Sequence, residues 1–325
     1  MVACYQKGYP RPQLVRAGWE SLNGIWHFRY DDEGEGLSRG YEKGFDTGLE
    51  IIVPFTYETS MSGIGDSSPH ECVWYSRSFS SKKENLIKGR LLLHFEGSDY
   101  RTTVWVNGKC VGTHEGHCAR FTFDITGYVI PEGNNILTVQ VEDRMSTALP
   151  RGKQRWMNNS FGCWYVQTTG IWKTVWLEYA GDCHLDTVKI TPDVDNGRVD
   201  FIYELSRRDS STVFVEAAIS FDGHEVVTSR SSMAGTRLSV NLSLSDVAEI
   251  WKYHFWSPDS PNLYDVVFSV YDAAGHLLDR AGSYFGLRKI SIQNGQVLLN
   301  NHPIYQRLIL DQGYWKESGI SYKGI

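Results

Sequence analysis

The sequence lacks long apolar segments. No window approaches the roughly eighteen consecutive apolar residues of a transmembrane helix. The N-terminal residues Met1-Val2-Ala3-Cys4 are not followed by the apolar stretch of a secretory signal. We therefore expect a chain that has no membrane partner and is cytoplasmic.

Charge of one sign is not concentrated anywhere in the chain. The 325 residues include 32 Lys and Arg against 38 Asp and Glu, which gives a net charge of −6, and the cations are scattered. Such a distribution favours neither nucleic acid nor an anionic membrane as a partner. A neutral or small ligand suits this composition better.

Cysteine is scarce, and metal-ligating patterns are missing. The six cysteines stand at irregular spacings with no C-x-x-C pair, which argues against a zinc ribbon and a redox motif. We expect free thiols, most of them buried. The run His114-Glu115-Gly116-His117 differs from the helical H-E-x-x-H pattern and has strand-like flanks, so neither a metal nor another cofactor is predicted.

Helical periodicity is also nearly absent, and β-strand patterns take its place. Short runs rich in Val, Ile, Thr, Tyr, Phe and Trp alternate with Gly, Asn, Asp and Pro clusters. The strongest hairpin signal is Asn107-Gly108, since both residues accept a positive φ. The patterns predict an all-β chain whose clearest strands are residues 24–30, 73–79, 90–95, 102–106, 120–124, 135–141, 173–177, 213–221, 237–242 and 264–271.

The strands fall into three segments. Residues 1–181 carry enough of them for a jelly-roll β-sandwich. Residues 182–286 carry the number and length of strands expected of an immunoglobulin-like β-sandwich. Residues 287–325 contain a hairpin around Asn294-Gly295 and an apolar strand at 303–310, which is too little for a third core.

The tryptophans have two possible uses. They could form a platform for carbohydrate, or they could fill the cores of the sandwiches. Core packing is the expected role for those inside predicted strands, namely Trp26, Trp74, Trp105, Trp172 and Trp176.

A series of motifs occurs in a recognisable order along the chain. They include Trp19-Glu20-Ser21-Leu22-Asn23-Gly24, Val53-Pro54-Phe55, Trp74-Tyr75-Ser76-Arg77, Val104-Trp105-Val106-Asn107-Gly108, Thr169-Gly170-Ile171-Trp172 and Tyr284-Phe285-Gly286-Leu287-Arg288. In this order the sequence resembles glycoside hydrolase family 2, the group that contains β-galactosidases, β-glucuronidases and β-mannosidases. The resemblance spans nearly the whole chain.

The resemblance implies an architecture and indicates which part of it carries the catalytic residues. It implies a jelly-roll (galactose-binding-like) sugar-binding domain, then an immunoglobulin-like β-sandwich, then the truncated start of a catalytic TIM barrel. Retaining hydrolysis needs two carboxyl groups, which in this family are glutamates on later barrel strands. We therefore assign no catalytic residue and expect the chain to be inactive alone.

The expected partners follow from the same resemblance. They are a β-glycoside carbohydrate and the missing C-terminal catalytic barrel, with a homo-oligomer also possible. The loop at residues 62–71 contains no Asn, the residue that the family's galactosidases supply to the sugar from this position. An alternative is a free-standing carbohydrate-binding protein without hydrolase activity.

Candidate sugar-binding residues follow the run at 304–310, which resembles the first barrel strand. Asp311, Gln312, Tyr314 and Trp315 would lie at its C-terminal, active-site end. Asp311 could accept a hydrogen bond from a sugar hydroxyl, and Trp315 could stack on the apolar face of a sugar. The alternative is that these residues form a disordered tail.

A second group of candidates lies in the loop at residues 150–156. It contains three cations and an aromatic residue. Arg151 could grip a uronic acid bidentately, and Trp156 could contact the sugar. The alternative is a solvated loop packed on the neighbouring domain.

Overall fold

The structure is a computed structural model that describes residues 3–11, 13–87, 89–207, 213–244 and 253–322. It divides into two compact units, residues 19–179 with 311–325 and residues 1–18 with 180–310. The N-terminal arm, residues 1–18, thus groups with the second sandwich, and the C-terminal segment, residues 311–325, groups with the first. The division into 1–181, 182–286 and 287–325 stays a prediction, because the two units are defined by contacts rather than by order along the chain.

The first unit is a β-sandwich with short helices in its loops. Its strands are β1 (Trp19–Ser21), β2 (Gly24–Tyr30), β3 (Leu49–Val53), β4 (Cys72–Ser80), β5 (Gly89–Phe95), β6 (Ser98–Asp99), β7 (Arg101–Val106), β8 (Lys109–Glu115), β9 (Phe121–Asp124), β10 (Asn134–Glu142), β11 (Gly170–Ile171) and β12 (Val175–Gly181). The helices are α1 (Lys83–Leu86) and the 3-10 turns Tyr41–Lys43 and Ser60–Ser62. No helix in the described part of the chain is long and apolar enough to cross a membrane.

Two sheets face each other in this unit. One has four strands in the order β1, β12, β5, β9, and the other has six in the order β3, β2, β4, β10, β7, β8. Leu137, Val139 and Val141 of β10 join the same buried apolar cluster as Leu91 and Leu93 of β5. Since successive side chains of a strand point to opposite faces, alternation alone aims these residues inward. Burying each of them contributes roughly 1.5–3 kcal/mol.

Most predicted strands of the first unit are confirmed. Strand β2 has both predicted ends, and β4, β5, β7, β9 and β10 differ from prediction by at most one residue at each end. Strand β12 begins two residues later and ends four residues later than predicted. The Asn107-Gly108 turn joins β7 and β8 with φ values of 53° and 74°, which is the positive-φ geometry that its sequence predicts.

All five tryptophans expected in the core are buried. Only Trp26, however, belongs to the apolar cluster between the sheets. Trp74 and Trp105 stack on each other with ring centroids 5.2 Å apart, and the indole N–H of Trp74 donates to Asp31 at 2.8 Å. Burial was therefore predictable from sequence, whereas the side of the sheet on which each indole lies was not.

The expectation that the cysteines are mostly buried is wrong. Cys110, Cys118 and Cys163 are exposed, and only Cys183 is fully buried. Composition predicts burial from the average behaviour of cysteine. Here the local strand register and the loops place three of the thiols in contact with solvent.

The second unit is a sandwich of a three-stranded and a four-stranded sheet. Its strands are β13 (Leu185–Asp193), β14 (Arg198–Leu205), β15 (Val213–Phe221), β16 (His224–Met233), β17 (Arg237–Ser243), β18 (Tyr264–Tyr271) and β19 (Leu277–Phe285). The sheet orders are β13, β14, β17 and β16, β15, β18, β19. Phe201 of β14 and Phe268 of β18 meet edge to face in the core, with centroids 5.4 Å apart. This is the second sandwich that the sequence predicts.

A small antiparallel sheet follows, formed by β20 (Ile290–Gln293), β21 (Gln296–Leu299) and β22 (His302–Pro303). The predicted strand at 303–310 is wrong beyond Pro303. Tyr305, Leu308 and Ile309 are 86%, 78% and 92% exposed, and this run forms no strand in the described structure. A strand needs a neighbour to pair its backbone N–H and C=O groups. The Ile304 N–H donates to the Val297 carbonyl at 3.0 Å, but residues 305–310 make no such backbone pair among the described residues.

A buried ion pair fastens the N-terminal arm within the second unit. Arg16 donates from Nε and Nη2 to the two carboxylate oxygens of Asp279 at 3.0 and 2.8 Å, and Nη2 also donates to the Leu185 carbonyl at 2.7 Å. Asp279 accepts the backbone N–H groups of Gly181 and Leu185 as well. Burial raises the pKa of Asp279, but the charge and hydrogen bonds of Arg16, together with His184 and the Gly181 N–H, lower it by more, so the carboxylate stays ionised.

We expect Arg16→Met to lower the free energy of unfolding by about 3–5 kcal/mol, because it leaves the buried Asp279 charge unpaired. Urea denaturation measures this effect. The matched control is Arg237→Met, since Arg237 pairs with Glu204 at 3.5 Å on the exposed surface of the same sandwich; its expected cost is about 0–1 kcal/mol. Equal losses for the two variants would contradict a special role for Arg16.

Candidate functional site

The segment at residues 311–322 is bound to the first sandwich. The Ser321 hydroxyl lies within hydrogen-bond distance of the carbonyls of Pro54 at 2.8 Å and Trp172 at 2.7 Å. The Met61 N–H donates to the Glu317 carbonyl at 3.1 Å. The alternative of a disordered tail is therefore corrected for this segment: it is held by backbone groups of loops that are far away in the sequence.

Gln312 joins this segment to the loop at 150–156. The Gln312 Oε1 atom accepts from Lys153 Nζ at 2.6 Å and from the Tyr165 hydroxyl at 3.1 Å. The rings of Tyr165 and Tyr314 lie 4.6 Å apart and are inclined by 33°. The two segments in which the sequence predicted sugar-binding candidates thus meet here, through Gln312 and Lys153. We call Lys153, Tyr165, Gln312 and Tyr314 the junction cluster.

Asp311 and Trp315 flank the junction cluster. Asp311 is exposed, and its Oδ1 accepts the Gly313 N–H at 2.8 Å, which forms a local turn. Trp315 is half-buried and exchanges backbone hydrogen bonds with Gly319 at 2.7 and 2.9 Å. Its ring meets Tyr322 edge to face at 6.0 Å. Asp311 keeps a second carboxylate oxygen for a ligand.

Arg151 is not placed to grip a ligand, and this part of the loop is not solvated. The Arg151 side chain is buried and donates to the two carboxylate oxygens of Asp143 at 2.7 and 3.1 Å. It also donates to the Arg144 carbonyl at 2.7 Å. A buried carboxylate requires such a partner. Arg151 therefore pairs with Asp143. Its side chain is neither available to grip a uronic acid nor part of a solvated loop, so both interpretations made from sequence are wrong for this residue.

Trp156 is half-buried in an aromatic group on the surface of the loop. Its ring meets Phe161 edge to face at 4.9 Å and Trp164 at 4.7 Å. Phe161 and Trp164 lie 5.0 Å apart across a tight turn, within which each donates a backbone hydrogen bond to the other. The ring of Trp156 is thus held at a fixed angle, and part of it remains accessible.

A group of buried carboxyls lies behind this loop. Asp99 accepts from Gln154 Nε2 at 2.7 Å, and His117 Nδ1 lies 2.7 Å from the same oxygen. Asp143 accepts weakly from the Thr169 hydroxyl at 3.4 Å. Burial, and then the charge of Asp99, raise the pKa of Asp143, while Arg151 opposes the rise. Sequence inspection missed Asp99 and Asp143 because they lie far apart in the sequence, on β6 and just after β10, and carry no common motif.

Glu58 lies near the same group and has no counter-ion among the described residues. It is buried, and neither of its carboxyl oxygens has a hydrogen-bond partner among the described residues. Burial raises the pKa of Glu58 to about 8, although the nearby hydroxyls of Thr56 and Thr169 offset part of the rise and Asp143 adds to it. The side chain is therefore mainly protonated at neutral pH, which avoids the cost of burying an unpaired charge.

The folded protein holds the Glu58 proton more tightly than the unfolded chain does. The resulting stabilisation is complete below the ordinary pKa of 4.5 and is lost as the pH rises to about 8. Within that window the slope attributable to Glu58 is about −1.4 kcal/mol per pH unit. We expect Glu58→Gln, which is neutral at every pH, to unfold with a correspondingly weaker pH dependence in urea titrations from pH 5 to 8. Identical slopes for variant and wild type would contradict this assignment.

Arg151 gives a second test of the buried network. We expect Arg151→Met to destabilise the protein by about 3–5 kcal/mol in urea, since Asp143 loses its only cation in the described structure. Arg144→Met is the control, because the Arg144 side chain is exposed and close by in sequence. A change within about 0.5 kcal/mol for both variants would show that Arg151 is not structural.

The His114-Glu115-Gly116-His117 run has packing partners. His114 stacks on Phe121 at 4.1 Å, and His117 stacks on Trp172 at 5.0 Å. Burial lowers the pKa of His114, which favours its neutral form. In the part of the chain that the structure describes, no group of three or more His, Cys, Asp or Glu side chains is arranged to hold a metal ion.

Comparison with known families matches both sandwiches. The model described as "Glycosyl hydrolases family 2, sugar binding domain" matches residues 19–178, and that described as "Glycosyl hydrolases family 2" matches residues 183–288. The chain belongs to glycosyl hydrolase family 2. The family 2 jelly-roll and immunoglobulin-like domains expected from the motifs are thereby confirmed.

The family 2 relatives that this chain matches are longer than the chain itself. A β-galactosidase of Photobacterium profundum is 26% identical over 90% of this chain and 30% of its own length. A β-glucuronidase of Paenibacillus borealis is 24% identical over 98% of this chain and 52% of its own length. The solved Ruminococcus gnavus β-glucuronidase has the same fold, with a TM-score of 0.75 at 22% identity over 95% of this chain and 50% of that chain. This chain spans between 30% and 53% of the length of the relatives it matches.

Proposed function

We propose that this chain forms the non-catalytic, N-terminal part of a family 2 β-glycosidase and contributes side chains to sugar binding. The observation that carries the proposal is the junction cluster. There the segment after the second sandwich meets a loop of the sugar-binding domain, through Gln312, Lys153 and Tyr165. Two distant parts of the chain thus present polar groups and aromatic rings together.

The chemistry of this surface suits a carbohydrate. The Gln312 amide, the Tyr165 hydroxyl and the Lys153 ammonium can exchange hydrogen bonds with sugar hydroxyls, and Asp311 can accept one more. Trp156 offers an accessible ring for the apolar face of a pyranose. Arg151 plays an indirect part, because its pairing with Asp143 holds the loop that carries Lys153 and Trp156.

Catalysis is assigned in this proposal to residues outside the chain. Retaining hydrolysis needs two carboxyls about 5–5.5 Å apart that reach the scissile bond. The neighbouring carboxyls of the first sandwich, Glu58, Asp99 and Asp143, are all buried, so a glycoside cannot reach them. The exposed apolar run at 305–310 also supports a larger protein, since surfaces of this kind are usually covered by a partner.

We also propose a cytoplasmic location. The exposed thiols of Cys110, Cys118 and Cys163 suit a reducing compartment, because exposed thiols in an oxidising one tend to form disulfides.

A panel of nitrophenyl β-glycosides tests the proposal. We expect no turnover by the purified 325-residue chain and turnover of one or more β-glycosides by the complete product of its gene. In that product, Gln312→Ala should raise KM more than it lowers kcat, because it removes a binding group. Ser239→Ala, an exposed change on β17, is the control. Turnover by the short chain would place a catalytic pair within the sandwiches and refute the proposal. Inactivity of the complete product, with saturable sugar binding, would favour a carbohydrate-binding protein.

A further inference from the structure

A second cleft lies on the outer face of the six-stranded sheet, where the 3-10 turn Tyr41–Lys43 and the residues after it fold over β2, β4 and β10. Its volume is about 430 Å³, which is within the range of small-molecule sites. It is lined by His27, Phe45, Ser78, Asn134 and Ile136, among others. None of its lining residues belongs to the junction cluster.

Strand register explains why these side chains share one face. His27 of β2 lies opposite Ser76 of β4, and Ser78 of β4 lies opposite Ile136 of β10. Their sequence neighbours Phe28 and Leu137 point into the core. Because alternate residues of a strand point to opposite faces, the cleft residues form a continuous patch on the outer surface.

The wall of the cleft is held in place by two contacts. The Phe45 N–H donates to the hydroxyl of Ser76, which is buried, at 3.2 Å. Gly44 has a φ of +101°, and a Cβ atom there would lie 2.6 Å from Ile136 Cγ2. Only glycine permits this conformation and this approach. The Arg29 guanidinium lies 5.5 Å from the Phe45 ring centroid, which braces the ring from the adjacent strand.

The lining chemistry distinguishes between classes of ligand. Lys43 and Asp46 line the cleft with opposite charges, and Lys43 lies 3.7 Å from Glu42, so the site offers no net attraction to an anion. An apolar ligand would leave the polar groups of His27, Ser78 and Asn134 without partners. A neutral sugar fits both halves of the lining. Its hydroxyls can pair with these polar groups, and its apolar face can pack on Phe45 and Ile136.

We propose that this cleft is a carbohydrate-binding subsite for a neutral mono- or disaccharide, distinct from the junction cluster. It would hold a glycan on the outer face of the sugar-binding domain. The proposal does not depend on hydrolysis by a longer protein.

Binding is measured by NMR titration of the 325-residue chain with methyl β-galactoside, methyl β-glucoside, lactose, glucuronate and inorganic phosphate. We expect saturable binding of at least one neutral sugar, with weaker binding of glucuronate and phosphate. Ser78→Tyr fills the cleft from an exposed strand position and should weaken sugar binding at least about tenfold. Ser239→Tyr, the same change on β17, should leave it unchanged.

Three outcomes would overturn the proposal. The first is the absence of saturable binding by any neutral sugar. The second is equal sugar affinity of the wild type and the Ser78→Tyr variant, when Ser78→Tyr and Ser239→Tyr both give the dispersed NMR spectra of folded proteins. The third is loss of binding in Gln312→Ala but not in Ser78→Tyr, which would assign the sugar to the junction cluster.

Discussion

The candidate site depends on one constraint: a charge removed from water needs a partner. Asp143 is buried at the end of a central strand of the first sandwich, and Arg151 pairs with both of its carboxylate oxygens. The loop that carries Arg151 must therefore fold back onto the strand. Gln154 and Arg155 of the same loop are buried and bonded to Asp99 and Gln167. The composition of this loop predicts a solvated segment, but buried hydrogen bonds from its own side chains hold it against the sandwich.

This fastening allows the less buried members of the loop to act together. Lys153 and Trp156 are half-buried and stand on either side of the buried pair Gln154 and Arg155, whose hydrogen bonds hold the backbone. Tyr165 returns along the same loop, and its backbone pairs with that of Lys153 and Arg155. Gln312 then bonds to Lys153 and Tyr165 from a distant part of the chain. A ligand surface with few mobile parts loses less entropy on binding.

The first sandwich uses its polar residues in two different ways. Beneath the loop, Glu58 has no counter-ion in the part of the chain that the structure describes, and it avoids the cost of burial by holding its proton. On the outer face of the six-stranded sheet, Ser78 and Asn134 remain exposed and line a cleft with Phe45 and Ile136. The first arrangement makes stability depend on pH, and the second leaves hydrogen-bonding groups available to a sugar. The same sheet alternation that builds the core supplies the outer surface.

The sequence by itself determined the all-β class, the order of the two sandwiches and the family. Alternation in β2, β15 and β18 predicted their ends, because a local pattern of period two decides which residues can form a half-buried strand. Asn107-Gly108 predicted its turn for an equally local reason, the tolerance of positive φ. Only the tertiary structure decided that Arg151 pairs with Asp143, that Glu58 has no counter-ion among the described residues and that Gln312 contacts Lys153. It also decided that 304–310 is not a strand. These outcomes depend on partners far away in the sequence. The residues next to a buried charge or an apolar run do not reveal which distant group will pair with it or cover it.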